Sequence, residues 1–69
     1  MIDFGKSLRA AQTIQGVRSV ELASRFGVHA QQIHRWRYQK TGSLALINKI
    51  CKELDYDEIE FIALGKDGS

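Results

Sequence analysis

The stretch "VELASRFGVHAQQIHRWR", residues 20–37, decides how this chain folds. Leu22, Ala23 and Phe26 recur at helical spacing, and Gly27 then interrupts the pattern with the one residue type that takes a positive φ without steric cost. Apolar spacing resumes with Val28, Ile33 and Trp36, the last two three positions apart and therefore on one side of a helix. Two short helices joined by a tight turn cross steeply only where the first is slim and the turn reaches the left-handed region. Ala23 supplies the slim position, Gly27 supplies the turn, and Val28 plugs that turn into a core. These are the requirements of a helix-turn-helix over about residues 19–38.

Working outward, Phe4, Leu8, Ala11 and Ile14 recur at three to four residues between Asp3, a good N-cap, and Gly16, a good terminator, which predicts a first helix over residues 3–15. The second is expected at about Ser19–Phe26, capped by Ser19, and the third at about Ala30–Tyr38. Ser43 caps a fourth whose Leu44, Ile47, Ile50, Cys51 and Leu54 trace one face. Asp57 and Glu60 have the spacing of a capping box for a fifth helix, with Glu58 adding negative charge at its positive end. Ile59, Phe61, Ile62 and Leu64 make it apolar, Gly65 is expected to stop it, and residues 66–69 are expected to fray. Proline is absent and no β-branched alternation is sustained, so strands have no support. The expected fold is all-α: one compact five-helix domain over residues 1–69. Its expected core is Phe4, Leu8, Ala11, Leu22, Ala23, Phe26, Val28, Ile33, Trp36, Leu44, Ile47, Ile50, Leu54, Phe61 and Ile62.

Composition closes off several classes of function. With 69 residues the chain is near the lower limit for a self-supporting core, which argues against a deep catalytic cleft. One cysteine, Cys51, excludes an internal disulfide, and with only His29 and His34 beside it no four-ligand zinc site can be assembled. Cys51 is expected to be a small core hydrophobe, and no metal or cofactor is expected. No apolar run approaches the roughly 20 residues of a membrane span, and the N-terminus lacks the layout of a signal peptide, so a cytoplasmic location is expected. No nucleophile and base stand in a supporting context, so an enzyme is not expected. Net charge is only +2, but it is sorted along the chain. Residues 1–42 carry seven basic and two acidic groups, a net of +5, while residues 43–69 carry three basic and six acidic groups, a net of −3. The first part suits a polyanion, and the second does not.

The chain resembles the lambda-repressor-like (Cro/C1-type, XRE) helix-turn-helix domains over roughly residues 4–65. The resemblance is carried by FGKSLRAAQ as first helix, ELASRFGV as second helix and turn, QQIHRWR as recognition helix, and GSLALINKICKELDYDEIEFI as the last two helices. It implies a five-helix domain that docks its third helix in the major groove of double-stranded DNA, usually as a two-fold dimer on a palindromic operator. Departures from the family pattern are Arg18 where a serine or threonine cap is common, His29 where Ser or Thr precedes the third helix, and a loop between Trp36 and Ser43 about one residue short.

With Ile33 and Trp36 turned inward, Gln31, His34, Arg35 and Tyr38 form an outward stripe, with Gln32 beside it and Ala30 opening the helix. A merely solvated face intersperses Glu and Lys, whereas no acid occurs from residue 22 to residue 52. Gln31 has the amide for the N6 and N7 edge of adenine, Arg35 the guanidinium for O6 and N7 of guanine, and His34 a donor for guanine or phosphate. Expected base contacts are therefore Ala30, Gln31, His34, Arg35 and Tyr38. Expected phosphate contacts are Arg18, Ser19, Gln32, Arg37, Lys40 and Thr41, with Arg9 more distant. The short length favours a small Cro-like phage or prophage repressor without a small-molecule effector, paired as a weak homodimer through Phe61, Ile62 and Leu64. The competing reading is a DNA-binding antitoxin or interaction module whose main partner is a protein docking on the acidic, apolar C-terminal half.

Overall fold

In the computed structural model, which describes residues 3–66, the chain forms α1 (Phe4–Gln15), α2 (Ser19–Phe26), α3 (Ala30–Tyr38), α4 (Leu44–Leu54) and α5 (Glu58–Lys66). Among the described residues there is no strand, and the architecture is the all-α one expected. The helix ends follow local chemistry. Asp3 accepts from the Lys6 amide at 3.1 Å, and Ser43 accepts from the Leu46 amide at 3.1 Å. Asp57 and Glu60 reciprocate, each side chain accepting from the other's amide at 3.0 and 3.2 Å. Gly16 and Gly27 close α1 and α2 at φ 67° and 68°. Asp55 closes α4 at φ 60°, a conformation that Asp tolerates better than most L-residues.

Two boundary expectations are corrected. The N-cap of α2 is Arg18, not Ser19, and its amide donates to the Glu21 carboxylate at 3.2 Å. Gly65 does not end α5: it lies inside the helix, buried, where a β-carbon would overlap the Ser7 hydroxyl and the Asp3 carbonyl. Close helix approach, not termination, is what that glycine serves. Of the tail expected to fray, Lys66 is helical and residues 67–69 lie outside the described residues.

The core is built around α1, which packs on α3 and α5. Its members are Phe4, Leu8, Ala11, Leu22, Ala23, Ile33, Trp36, Ile50, Cys51, Leu54 and Phe61, with Phe26, Val28 and Ile47 half-buried against them. Cys51 is interior, as its helical face required; burial pushes its thiol pKa up, and the Glu58 and Asp57 carboxylates push it further. Leu44 departs from the expected core, being 73% exposed, and Ile14, which has the apolar spacing of α1 but is not counted in that core, is 64% exposed. The inner stripe of α1 continues not through Ile14 but through the buried Gln12 and through Gln15, whose amide donates to the Leu54 carbonyl at 2.6 Å. Leu44 stands in the first turn of α4, ahead of the stretch from Ile50 to Leu54 that reaches the core.

α5 is divided by the same packing. Phe61 is 1% exposed, with its ring centroid 6.0 Å from that of Phe4, so it belongs to the core and cannot serve the intersubunit surface expected of it. Leu64 also packs inward, Ile62 is partly exposed, and Ile59 is 79% exposed. Among the described residues no helix is long and apolar enough to cross a membrane.

The position of α1 governs the segment after α3. The amides of Phe4 and Gly5, orphan donors at a helix start, donate to the carbonyls of Lys40 and Gln39 at 3.0 and 2.8 Å. Gly5 permits that approach, because a β-carbon there would overlap the Arg37 carbonyl and stand 2.8 Å from that of Gln39.

Candidate nucleic-acid interface

The turn between α2 and α3 is held by backbone groups. The Gly27 amide points at the carbonyls of Ala23 and Ser24, and the Val28 amide donates to Ala23 at 2.9 Å, the double closure of a left-handed helix stop. Ala23 is buried at the contact. Ile33 and Trp36 anchor α3 from within, and the Trp36 ring meets Phe26 edge-on with centroids 5.8 Å apart. Lys49 of α4 stands 5.7 Å from the other partner, the Phe26 ring, and extends this stack outward. With its inner face so fixed, α3 has little rotational freedom.

The opposite face is what remains for contact. Gln31, His34, Arg35 and Tyr38 are exposed together on it, while Ala30 and Gln32 are half-buried at its edge. A shallow notch at its beginning is lined by Gly27, Val28, His29, Gln31, Gln32 and Arg35. Tyr38 closes the far end of the stripe, but its ring is engaged: the Arg9 guanidinium of α1 lies 5.2 Å from the ring centroid.

A second notch lies where α1 meets α2, lined by Gln12, Thr13, Gly16, Val17, Arg18, Ser19 and Arg37. Here the expected phosphate contacts divide. Arg18 is exposed, but Arg37 is half-buried and turned back on the protein, its Nη1 donating to the Ser19 hydroxyl oxygen at 3.2 Å. The buried amide of Gln12 donates to the same oxygen at 3.2 Å and to the Val17 carbonyl at 3.2 Å. Both lone pairs of the Ser19 oxygen are thereby taken, which leaves the hydroxyl to act as a donor. Arg37 Nε and Gln12 Oε1 are buried without a hydrogen-bond partner among the described residues. Lys40 and Thr41 are exposed on the segment that α1 holds, where the Thr41 carbonyl accepts from the Gln39 side chain at 2.7 Å.

Sequence reasoning missed Gln12 and the pairing of Arg9 with Tyr38. Gln12 had a legible signal, a polar side chain next to Ala11 and four residues after Leu8, on the inward side of an amphipathic helix. The pairing had none, because it spans α1 and α3.

Two comparisons, with curated proteins and with solved structures, find no match. A third, with family models, matches residues 14–67 to the Cro/C1-type HTH DNA-binding domain. That span takes in the α2 and α3 pair, the notch at the start of α3 and the fourth and fifth helices, and the chain belongs to the Cro/C1-type helix-turn-helix DNA-binding family.

Proposed function

We propose that this DNA-binding regulator is sequence-specific and inserts α3 in the major groove of an operator. The observation that carries the reading is the grouping of Gln31, His34 and Arg35, all exposed, on a helix whose other side is pinned by Ile33 and Trp36. Gln31 and Arg35 have the side chains whose paired groups match adenine and guanine edges. Ala30 and Gln32 border the same surface. Around it, the donor character of Ser19 and Arg37, the charges of Arg18 and Lys40 and the hydroxyl of Thr41 suit the phosphate backbone. The family does not couple this fold to catalysis, and the exposed stripe offers binding groups rather than a nucleophile with its base.

One such unit contacts few base pairs, so a two-fold dimer on a palindromic operator supplies the discrimination that repression needs. Ile59 and Ile62, three apart on the outward side of α5, are the apolar groups for that contact, with Leu64 beneath them. The role is that of a small Cro-like phage or prophage repressor. The same exposed Ile59 on an acidic helix favours, as a second reading, an antitoxin whose partner is a protein.

Selection of bound duplexes from a random pool tests the reading. A palindrome with half-sites about one helical turn apart is expected. A pool with no enriched sequence would remove sequence-specific regulation, and a single unpaired half-site would remove the dimer.

A further inference from the structure

We propose that Arg9 and Tyr38 form one functional unit in which Tyr38 is a platform rather than a base reader, and Arg9, outside the helix-turn-helix, is a DNA phosphate contact. The inference rests on the DNA-binding reading above and deepens it. Tyr38 ends the outward stripe of α3 and is 71% exposed, so its ring lies at the border of the surface offered to the groove. The Arg9 guanidinium covers that ring at 5.2 Å, while Arg9 Nε donates to the Gly5 carbonyl at 3.3 Å. Gly5 is in turn bound through its amide to the Gln39 carbonyl, one residue past Tyr38. The cation is therefore held from both sides by groups tied to the end of α3.

A guanidinium carries five N–H donors in a fixed fork, and here Nε is the one engaged among the described residues. The two Nη groups keep their donors for an acceptor, and α3, on whose Tyr38 the guanidinium rests, carries no carboxylate. An aromatic ring held by a cation is a poor base reader, because the stack ties it to α1. A cation pre-set on such a ring loses less rotamer freedom when it meets a phosphate oxygen. Phosphate is the acceptor that suits Arg9, since it stands at the edge of the stripe rather than along it.

The test measures affinity against salt concentration for the full chain, on the selected operator and on random-sequence duplex, with Arg9→Ala, Arg9→Gln, Tyr38→Ala, Tyr38→Phe and Arg9→Ala/Tyr38→Ala. Loss of one phosphate contact is expected to reduce the slope of log affinity against log salt by about 0.9 in both Arg9 variants. It should weaken both duplexes alike, roughly threefold to tenfold, because a phosphate contact carries no sequence information. Tyr38→Phe is expected to bind as the unaltered chain does, and Tyr38→Ala to lose about twofold to fivefold, the worth of an exposed cation–π contact. The double variant should be no weaker than Arg9→Ala. Arg9→Gln keeps most of the side-chain stem, so a loss shared by both Arg9 variants is one of charge and not of packing. An unchanged salt slope in the Arg9 variants overturns the proposal, as does a Tyr38→Ala loss that adds fully to that of Arg9→Ala and relaxes one base position. If the unaltered chain binds no duplex at all, the DNA-binding reading falls first and this proposal with it.

Discussion

The pair α2 and α3 and the pair α4 and α5 are built from helices of similar length, yet they resolve the same packing problem in opposite ways. In α3 the polar and apolar residues separate cleanly: Ile33 and Trp36 are buried, and Gln31, His34 and Arg35 are exposed. In α5 they do not. Phe61 and Gly65 are buried, but Ile59 stands 79% exposed on a helix whose first turn carries Glu58 and Glu60. A helix apolar on more than one side has a surface that one core cannot cover. The difference teaches that this small domain has two outward surfaces of unlike chemistry, one basic and amide-rich, the other apolar and acid-flanked.

The comparison is broken most severely by removing what orients α3. Trp36→Ala takes away the ring that meets Phe26 and is expected to cost about 3–5 kcal/mol, close to the whole stability of a domain this small. Denaturant unfolding should show a midpoint near zero, and a loss under about 1 kcal/mol would mean that Trp36 does not anchor the helix.

Next in size is a change that leaves the fold alone. Arg35→Ala is expected to cost about 1–3 kcal/mol of binding on the selected operator and to relax the preference at one base pair, with the unfolding midpoint unmoved. Equal weakening on every duplex would reassign Arg35 to the phosphate backbone.

The second surface is sharpened by Ile59→Gln. Because Ile59 is exposed in the monomer, its stability should change by no more than about 0.5 kcal/mol. Sedimentation should nevertheless show a weaker dimer, and affinity for a two-half-site duplex should fall while that for one half-site holds. Unaltered self-association would leave this face to a different protein partner.

The smallest effect concerns Cys51. Its pKa is raised in the folded chain by burial and by the Glu58 and Asp57 carboxylates, so the unfolded thiol ionises first as pH rises. Between the unfolded value of about 8.5 and the higher folded one, the native state holds a proton that the unfolded state has shed. Stability contributed by the neutral thiol is therefore complete below that window and declines across it, by at most about 1.4 kcal/mol for every tenfold difference in acidity between the folded and unfolded thiol. Denaturant melts on either side of the window should show this decline, and Cys51→Val should reduce it. An equal decline in the variant would assign it to other groups.

Much of the fold was legible because short-range chemistry writes it. Asp3, Gly16, Gly27, Ser43 and the Asp57 and Glu60 pair mark helix ends through bonds spanning at most five residues, and each works as its type predicts. The errors fall where a neighbour from elsewhere in the chain decides. Ile14 and Leu44 have the right spacing for a buried face, but among the described residues no element covers them. Gly65 has the composition of a stop, yet α1 crosses it closely enough to exclude a β-carbon. In the candidate site, the exposed stripe of α3 followed from Ile33 and Trp36 alone. The inward turn of Arg37 toward Ser19 did not, since it joins groups 18 residues apart.

The sequence by itself determined the five helices, the face of α3 that is left for contact and the segregation of charge, because spacing, caps and ionisation are properties of neighbours along the chain. Only the tertiary structure decided that Phe61 is interior and Ile59 is not, that the Ser19 hydroxyl accepts from both Gln12 and Arg37, and that Arg9 rests on Tyr38. Periodicity names a face, but depth and hydrogen-bond partnership are set by which helix comes to lie against it.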